Sequence, residues 1–386
     1  MQFGPTEVNR HSLIQRQNTS AVGSNRPLFN LIPKLKRAIY GNIDSSSPRF
    51  PTSVHDLHSL RPKSPAAIMA CRDCLSGTIH TETPTGSEKT IHGFPTYVAE
   101  PEAGTTPKGL VVIICDAFGW KISNCRLLAD IYAKKGGFLV YVPDFMNGKS
   151  PTIICCIPHG EHFLTLNPIG NDMDPGSMGA MERIAKPGSW LTTLVYKPIW
   201  ILRAIFTTID FLIKNRVSVC HPRVISFFSS LRTSAPPFQT PNLKIGVAGF
   251  CWGGKHAFLL AADKPSSRIQ RHSSQHPSSS GIIEPLIDCA FTAHPSFLKV
   301  PTDIEAVKIP VSVAVGNVDM AMSARQIVTM KEILEVKNKG DHEVNVMPGA
   351  KHGFAIRVDP KDEFQLKCAD KAESQAIEWF TRWFAS

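Results

Sequence analysis

The sequence predicts an α/β fold, a mostly parallel twisted sheet flanked by helices, and three observations carry that expectation. Short, continuous apolar runs recur along the chain, as buried parallel strands require. Helical segments stand between several of them, the arrangement that crossover connections need. Third, the run Leu243-Lys244-Ile245-Gly246-Val247-Ala248 passes through Gly249-Phe250-Cys251-Trp252-Gly253-Gly254 straight into a helical segment. No internal repeat and no glycine-rich nucleotide pattern is visible.

The strands are expected near 110–115, 138–142, 243–249, 287–293, 310–316 and 342–348. Helices are expected from Ser123 to Lys134 and from Lys255 to Ala262. A last one from Ala369 to Phe384 has Ala372, Gln375-Ala376, Trp379-Phe380 and Trp383 at helical spacing, a packing stripe that closes the core. Trp190 to Lys214 is strongly apolar, but Lys197, Arg203 and Asp210 interrupt it and Pro198 lies inside, which argues against a bilayer crossing. Residues 190–232 are therefore read as a helical lid segment over one edge of the sheet. Residues 149–187 show no strand or helix period and are expected to be an irregular insertion. Lys264 to Gly281, rich in Ser, His and Gln, is expected to be a surface loop.

At 386 residues, 42% hydrophobic and 19% charged, the chain can bury a substantial core. Residues 1–68 hold nine Lys/Arg against three Asp/Glu, so they supply +6 of the net +10. That segment is read as a disordered basic N-terminal extension, with residues 69–386 forming one domain. Two origins stay open for it, an upstream extension and a mitochondrial transit peptide, since it is Arg- and Ser-rich and acid-poor. The charge is not interleaved with aromatic residues, so no nucleic-acid partner is expected, and no membrane partner either. A monomer or weak homodimer is expected. Ten cysteines without a disulfide framework, and no apolar signal peptide, point to a reducing, cytoplasmic setting, with a mitochondrial one as the alternative. Cys71 and Cys74 form a CxxC, and Cys155-Cys156 with His159-Gly160-Glu161-His162 offer further donors, yet the spacing matches no metal template. Neither a metal nor any other cofactor is expected.

The chemistry gathers at three places. Gly249-Phe250-Cys251-Trp252-Gly253 has the form of a nucleophile elbow, with cysteine where serine is usual and glycines giving room on either side. Asn317-Val318-Asp319 follows the strand Ile309–Gly316, and His352 follows the strand Val344–Met347. Each of the three would lie at the carboxyl edge of the sheet, where ligands collect. Nucleophile, acid and base in that chain order is the order of the α/β-hydrolases. A thiol with an ordinary pKa of about 8.5 needs a base, and an oxyanion needs prearranged donors. His352 is the candidate base, Asp319 its orienting acid, and the Trp252 N–H one donor for the oxyanion. The Ala117 N–H, after the strand Leu110–Cys115, is the second. Asp116 is either a poorly solvated group near the thiol or a cap on the helix from Ser123. His294, after the strand Ile287–Ala293, is either a pocket residue or a packed, hydrogen-bonded one.

From about Met69 to the C-terminus the chain resembles the dienelactone hydrolase family in its fungal form. The resemblance rests on Cys71-Arg72-Asp73-Cys74-Leu75-Ser76-Gly77, Thr90-Ile91-His92-Gly93, Asp116-Ala117-Phe118-Gly119-Trp120 and Tyr141-Val142-Pro143-Asp144-Phe145. It rests equally on Gly249–Lys255, His294-Pro295-Ser296 and Gly349-Ala350-Lys351-His352-Gly353-Phe354-Ala355. The resemblance implies a single α/β-hydrolase domain with a Cys-His-Asp triad at Cys251, His352 and Asp319. It also implies Ala117 as an oxyanion donor, and a thiol-contacting carboxylate at Asp116, where bacterial members carry the longer glutamate.

The activity expected is cofactor-independent hydrolysis of a small lactone, activated ester or thioester through an acyl-enzyme. Two other classes stand beside it: a non-catalytic ligand-binding protein, and a thiol redox sensor using Cys251 or the Cys71/Cys74 pair. Alkylation kinetics of Cys251 separate the first from an enzyme. Reversible oxidation without ester turnover marks the second.

Overall fold

A computed structural model gives the structure of the protein, and it describes residues 77–146, 153–155, 164–166, 171–173, 178, 184, 188–275, 281–337 and 341–386. The basic extension at 1–68, the Cys71/Cys74 pair, Cys156 and the His159–His162 stretch lie outside those residues.

An eight-stranded sheet organises the described chain. Its strands are β1 (Ser87–Ile91), β2 (Phe94–Ala99), β3 (Leu110–Ile114), β4 (Leu139–Pro143), β7 (Ile245–Phe250), β10 (Cys289–Ala293), β11 (Val311–Gly316) and β12 (His342–Met347). Two small ribbons lie apart from it, β5 (Ile153–Cys155) with β6 (Leu164–Leu166), and β8 (Ile269–Gln270) with β9 (Ile283–Glu284). The spatial order is β1-β2-β4-β3-β7-β10-β11-β12. β2 runs antiparallel to β1 and β4, and every pair from β4 to β12 is parallel. One antiparallel edge on a parallel sheet is a common form of α/β architecture. All six expected strands are present within a residue or two. β1 and β2 went unread, because β1 is mostly exposed and polar and β2 carries Pro95.

The pleat divides the core into two layers. Val111, Ile113, Val140, Val142, Ala248 and Phe250 face one side, where α1 (Ser123–Gly136) and the last helix, α7 (Glu363–Phe384), cover them. Leu110, Val112, Ile114 and Val247 face the other, against α3 (Val217–Thr233), α4 (Trp252–Ala261) and α6 (Ala324–Lys337). The remaining helices are α2 (Lys197–Lys214), entered through a π-helical turn at Thr192–Tyr196, and the short α5 (Thr302–Glu305). α7 begins six residues before the sequence places it, because the Asp362 side chain accepts from the Gln365 N–H and caps the helix there.

One expectation changes: strands β5 and β6 pair antiparallel inside 149–187, which the sequence reads as irregular. In the stretch expected to be a surface loop, residues 264–274 are exposed or half-buried, and it is anchored at two points. Arg271 pairs with Glu284 and Asp288, and buried Gln275 donates to the Leu231 and Ser234 carbonyls.

The tie centres on Arg232, which is fully buried. It meets Asp288 at 2.6 Å and donates to the Leu286 and Leu243 carbonyls at 3.0 and 2.8 Å. Asp288 also accepts the Ile245 N–H at 2.6 Å, so one ion pair fixes the start of the strand that leads to Cys251. Burial alone would raise the Asp288 carboxyl, but Arg232 and Arg271 outweigh it and hold its pKa below the ordinary value. A depressed carboxylate contributes stability above its unfolded pKa of about 3.9 and loses it as pH falls through the folded value. Asp288→Asn should therefore cost about 3–5 kcal/mol at neutral pH, because it strands a buried guanidinium. In urea denaturation the deficit should shrink as the pH is lowered past the carboxylate range; a pH-independent deficit would mean the charge is immaterial.

Candidate active site

The site is built on the turn between β7 and α4. Cys251 stands at φ +52°, ψ −111°, a conformation rare for a residue with a side chain, and precedes the first residue of α4. The flanking glycines are sterically required. A Cβ on Gly249 would lie 2.5 Å from the Gly253 carbonyl oxygen, and one on Gly253 would lie 2.0 Å from that of Ile114 at the end of β3. The Cys251 N–H donates to Ala293, and its carbonyl accepts the N–H groups of Gly254 and Ser296. The peptide is thus held from both its own helix and the neighbouring β10 loop.

Three of the sequence-derived residues converge. His352 Nδ1 lies 2.9 and 3.0 Å from the two Asp319 carboxylate oxygens, with both side chains fully buried. The Cys251 thiol and the His352 ring interact directly, and Ser296 Oγ sits beside both, 3.4 Å from Cys251 Sγ and 3.3 Å from His352 Nε2. Burial opposes a charged imidazole at His352. The Cys251 sulfur and the Asp319 carboxylate outweigh it, and the His352 pKa stands well above the ordinary histidine value. The Ala321 N–H bonds to Asp319 Oδ1, which fixes the carboxylate at the end of β11.

The loop after β3 supplies the other wall. Neither the Ala117 nor the Trp252 main-chain N–H has an acceptor among the described residues. The Ala117 carbonyl accepts the Met173 N–H at 2.8 Å, which pins that peptide from outside the loop. Asp116 does not cap the helix that follows: α1 has Ile122 at its cap position, without a side-chain bond. Its Oδ1 accepts the Phe118 N–H, and its Oδ2 lies 2.7 Å from Arg357 Nε. The N–H is not aimed at the oxygen, so this is an ion pair rather than a well-aligned hydrogen bond. Burial raises the Asp116 pKa even though Arg357 pulls it down.

His294 is packed, and neither ring nitrogen has a hydrogen-bond partner among the described residues; the ring lies 5.0 Å from that of His352. Burial, then the charge of His352, hold its pKa well below the ordinary value, so it stays neutral. Sequence reasoning gave no role to Ser296, Arg357 or Asp172. Asp172 is a half-buried carboxyl beside Gly119 whose pKa burial and Asp144 push up to about 6. Ser296 stood inside a quoted motif; Arg357 and Asp172 carried no signal beyond their charge.

Among the described residues, no group of three or more His, Cys, Asp and Glu could hold a metal ion, and Cys115, Cys125, Cys220, Cys251, Cys289 and Cys368 are free thiols. No described helix is long and apolar enough to cross a membrane.

An elbow between a parallel strand and its helix, with an acid and a histidine brought in from the next strands of such a sheet, defines an α/β-hydrolase. Residues 221–385 match the model of the dienelactone hydrolase family. "Hydrolase tropI" of Talaromyces stipitatus is 25% identical over 311 residues, covering 80% of this chain and 95% of that protein. "Dienlactone hydrolase 1" of Gibberella moniliformis is also 25% identical, over 81% of this chain and 93% of its own. The solved dienelactone hydrolase of Anabaena variabilis superposes with a TM-score of 0.43 at 15% identity, covering 79% of this chain and 99% of its own. The protein is a hydrolase of the lactone and carboxylic-ester class.

The raised His352 pKa has a measurable consequence. Asp319→Asn removes a charge that favours the imidazolium, and each pKa unit is a factor of ten. Iodoacetamide alkylation of Cys251 near neutral pH should slow about tenfold or more in that variant. Equal rates in both chains would show that Asp319 does not sustain the charged pair.

Proposed function

We propose that the protein cleaves a small lactone or an activated ester or thioester through an acyl-enzyme on Cys251. The observation that carries this reading is the convergence of a buried His352, braced by both oxygens of Asp319, on a thiol at a strained elbow. His352 takes the thiol proton, and the sulfur attacks the carbonyl carbon. The N–H groups of Ala117 and Trp252 are the available donors for the resulting oxyanion. His352 then gives its proton to the departing alkoxide or thiolate as the C–O or C–S bond breaks, leaving an S-acyl enzyme. In the second half, His352 takes a proton from water, the hydroxide displaces the sulfur, and the carboxylic acid product leaves. In a lactone the departing oxygen stays tethered, so ring opening gives one hydroxy acid.

A thiolate nucleophile favours esters and thioesters over amides, because amines leave less readily than the sulfur itself. Ser296 acts as a positioning residue that holds the resting thiol and imidazole in register. Asp116 is committed to Arg357, and that pair supports the loop carrying Ala117.

Intact-protein mass after mixing with p-nitrophenyl acetate tests the reading. An acetyl adduct with p-nitrophenol release is expected, absent in Cys251→Ala and lowered by about three orders of magnitude in His352→Ala. Release that persists undiminished in folded Cys251→Ala would overturn it. Ser296→Ala should lower kcat by about tenfold, less than the roughly 10²–10⁴-fold of a group that itself transfers the proton, with KM little changed. A change in KM alone would instead place Ser296 in substrate binding.

A further inference from the structure

The two oxyanion donors come from separate pieces of the fold, the Ala117 N–H from the loop after β3 and the Trp252 N–H from the start of α4. Such donors act only when each lies about 2.7–3.1 Å from the place the oxyanion will occupy, so their mutual spacing has to be held. One side of that spacing is set inside the loop. The Asp116 carbonyl accepts the Gly119 N–H at 3.1 Å. That carbonyl shares a planar peptide with the Ala117 N–H, so fixing one aims the other. The Ala117 carbonyl, in the next peptide, accepts the Met173 N–H at 2.8 Å.

A chain of bonds continues from Met173 to the elbow. The Asn171 carbonyl accepts the side-chain amide N–H of Asn215. The Asn215 main-chain carbonyl in turn accepts the Trp252 Nε1–H at 3.0 Å. Both donor residues are therefore tied to the short strap Asn171-Asp172-Met173, one directly and the other through a single asparagine. The middle of the strap bears on the loop as well: a Cβ on Gly119 would lie 2.6 Å from Asp172 Oδ2.

Asn215 is fitted to this task. It is buried in the joint between α2 and α3, and its main-chain and side-chain polar groups are all engaged. Its main-chain N–H donates to the Phe211 carbonyl at 2.8 Å, and its Oδ1 accepts the Cys220 thiol at 3.5 Å. The Asn171 carbonyl can only accept, so the amide nitrogen must face it, and the amide has one orientation. The indole at the far end is boxed by Phe211, edge-on at 6.4 Å between centroids, and by the His256 ring at 4.3 Å. Joining two helices needs neither a buried amide nor a bond to a distant segment.

We infer that Asn215 is a positioning residue for the reaction: with the strap it braces the Ala117 and Trp252 donors against each other and sets the width of the oxyanion site. The inference rests on the acyl-enzyme reading, because only a reaction that passes through an oxyanion uses those donors.

The experiment compares two reactions of the same sulfur. Acylation by p-nitrophenyl acetate passes through a tetrahedral oxyanion, whereas iodoacetamide loses iodide to direct attack at its CH₂ carbon and forms none. Asn215→Ala should lower the rate of the p-nitrophenol burst and kcat about tenfold or more, with KM little changed, while Cys251 alkylates at the wild-type rate. If circular dichroism shows that variant misfolded, Asn215→Ser takes its place, its hydroxyl being one atom shorter than the amide. Acylation of the variant at the wild-type rate would overturn the inference. A parallel loss of both reactions would also overturn it, since Asn215 would then support the site as a whole. A wild-type chain that alkylates at Cys251 and never acylates would instead sink the acyl-enzyme reading, and this inference with it.

Discussion

Cys251 is held at positive φ because three separate pieces of the fold leave its peptide no other course. The Gly253 position abuts the last carbonyl of β3, Gly249 abuts the helix, and Ala293 and Ser296 of the β10 loop bond to the cysteine main chain. Moving any of these by an ångström would relax the turn and withdraw the sulfur from His352. The strain is therefore sustained by the central strands of the sheet, where backbone displacement is most expensive. Arg232 extends the same constraint to the far end of β7, where it anchors Asp288 and the Leu243 carbonyl.

The charges in the site are arranged as pairs rather than as isolated groups. Asp319 faces His352, Asp116 faces Arg357, and His294 remains neutral between His352 and Phe354. Each carboxylate answers a basic group in the same dry volume, although at Asp116 burial still outweighs Arg357 and raises the pKa. His294 fits this logic as a polarisable, uncharged wall beside the imidazolium. Among the described residues, neither of its ring nitrogens has a hydrogen-bond partner.

Much of this was legible in the sequence, for identifiable reasons. Strands β3, β4, β7 and β10 to β12 are continuous apolar runs because both faces are covered, so they stand out without alternation. The edge strand β1 has no such signature, since SEKTI is nearly all exposed. Cys251 could be read because its turn dictates glycine on both sides; Asp319 and His352 could be read because each follows a strand. Ser296, Asp172 and Arg357 could not, because a polar loop residue carries no periodicity and its partner lies elsewhere in the chain.

The sulfur and the three groups beside it are shut away: Cys251, Ser296 and His352 are each 3% exposed and Asp319 is 5%. A reactive thiolate in open solution meets every dissolved oxidant and electrophile at the rate of diffusion. One enclosed to this degree meets far fewer of them. The fold thus acts as a shelter as well as a scaffold, and sulfur chemistry becomes tenable where an exposed thiol would be spent on whatever drifts by.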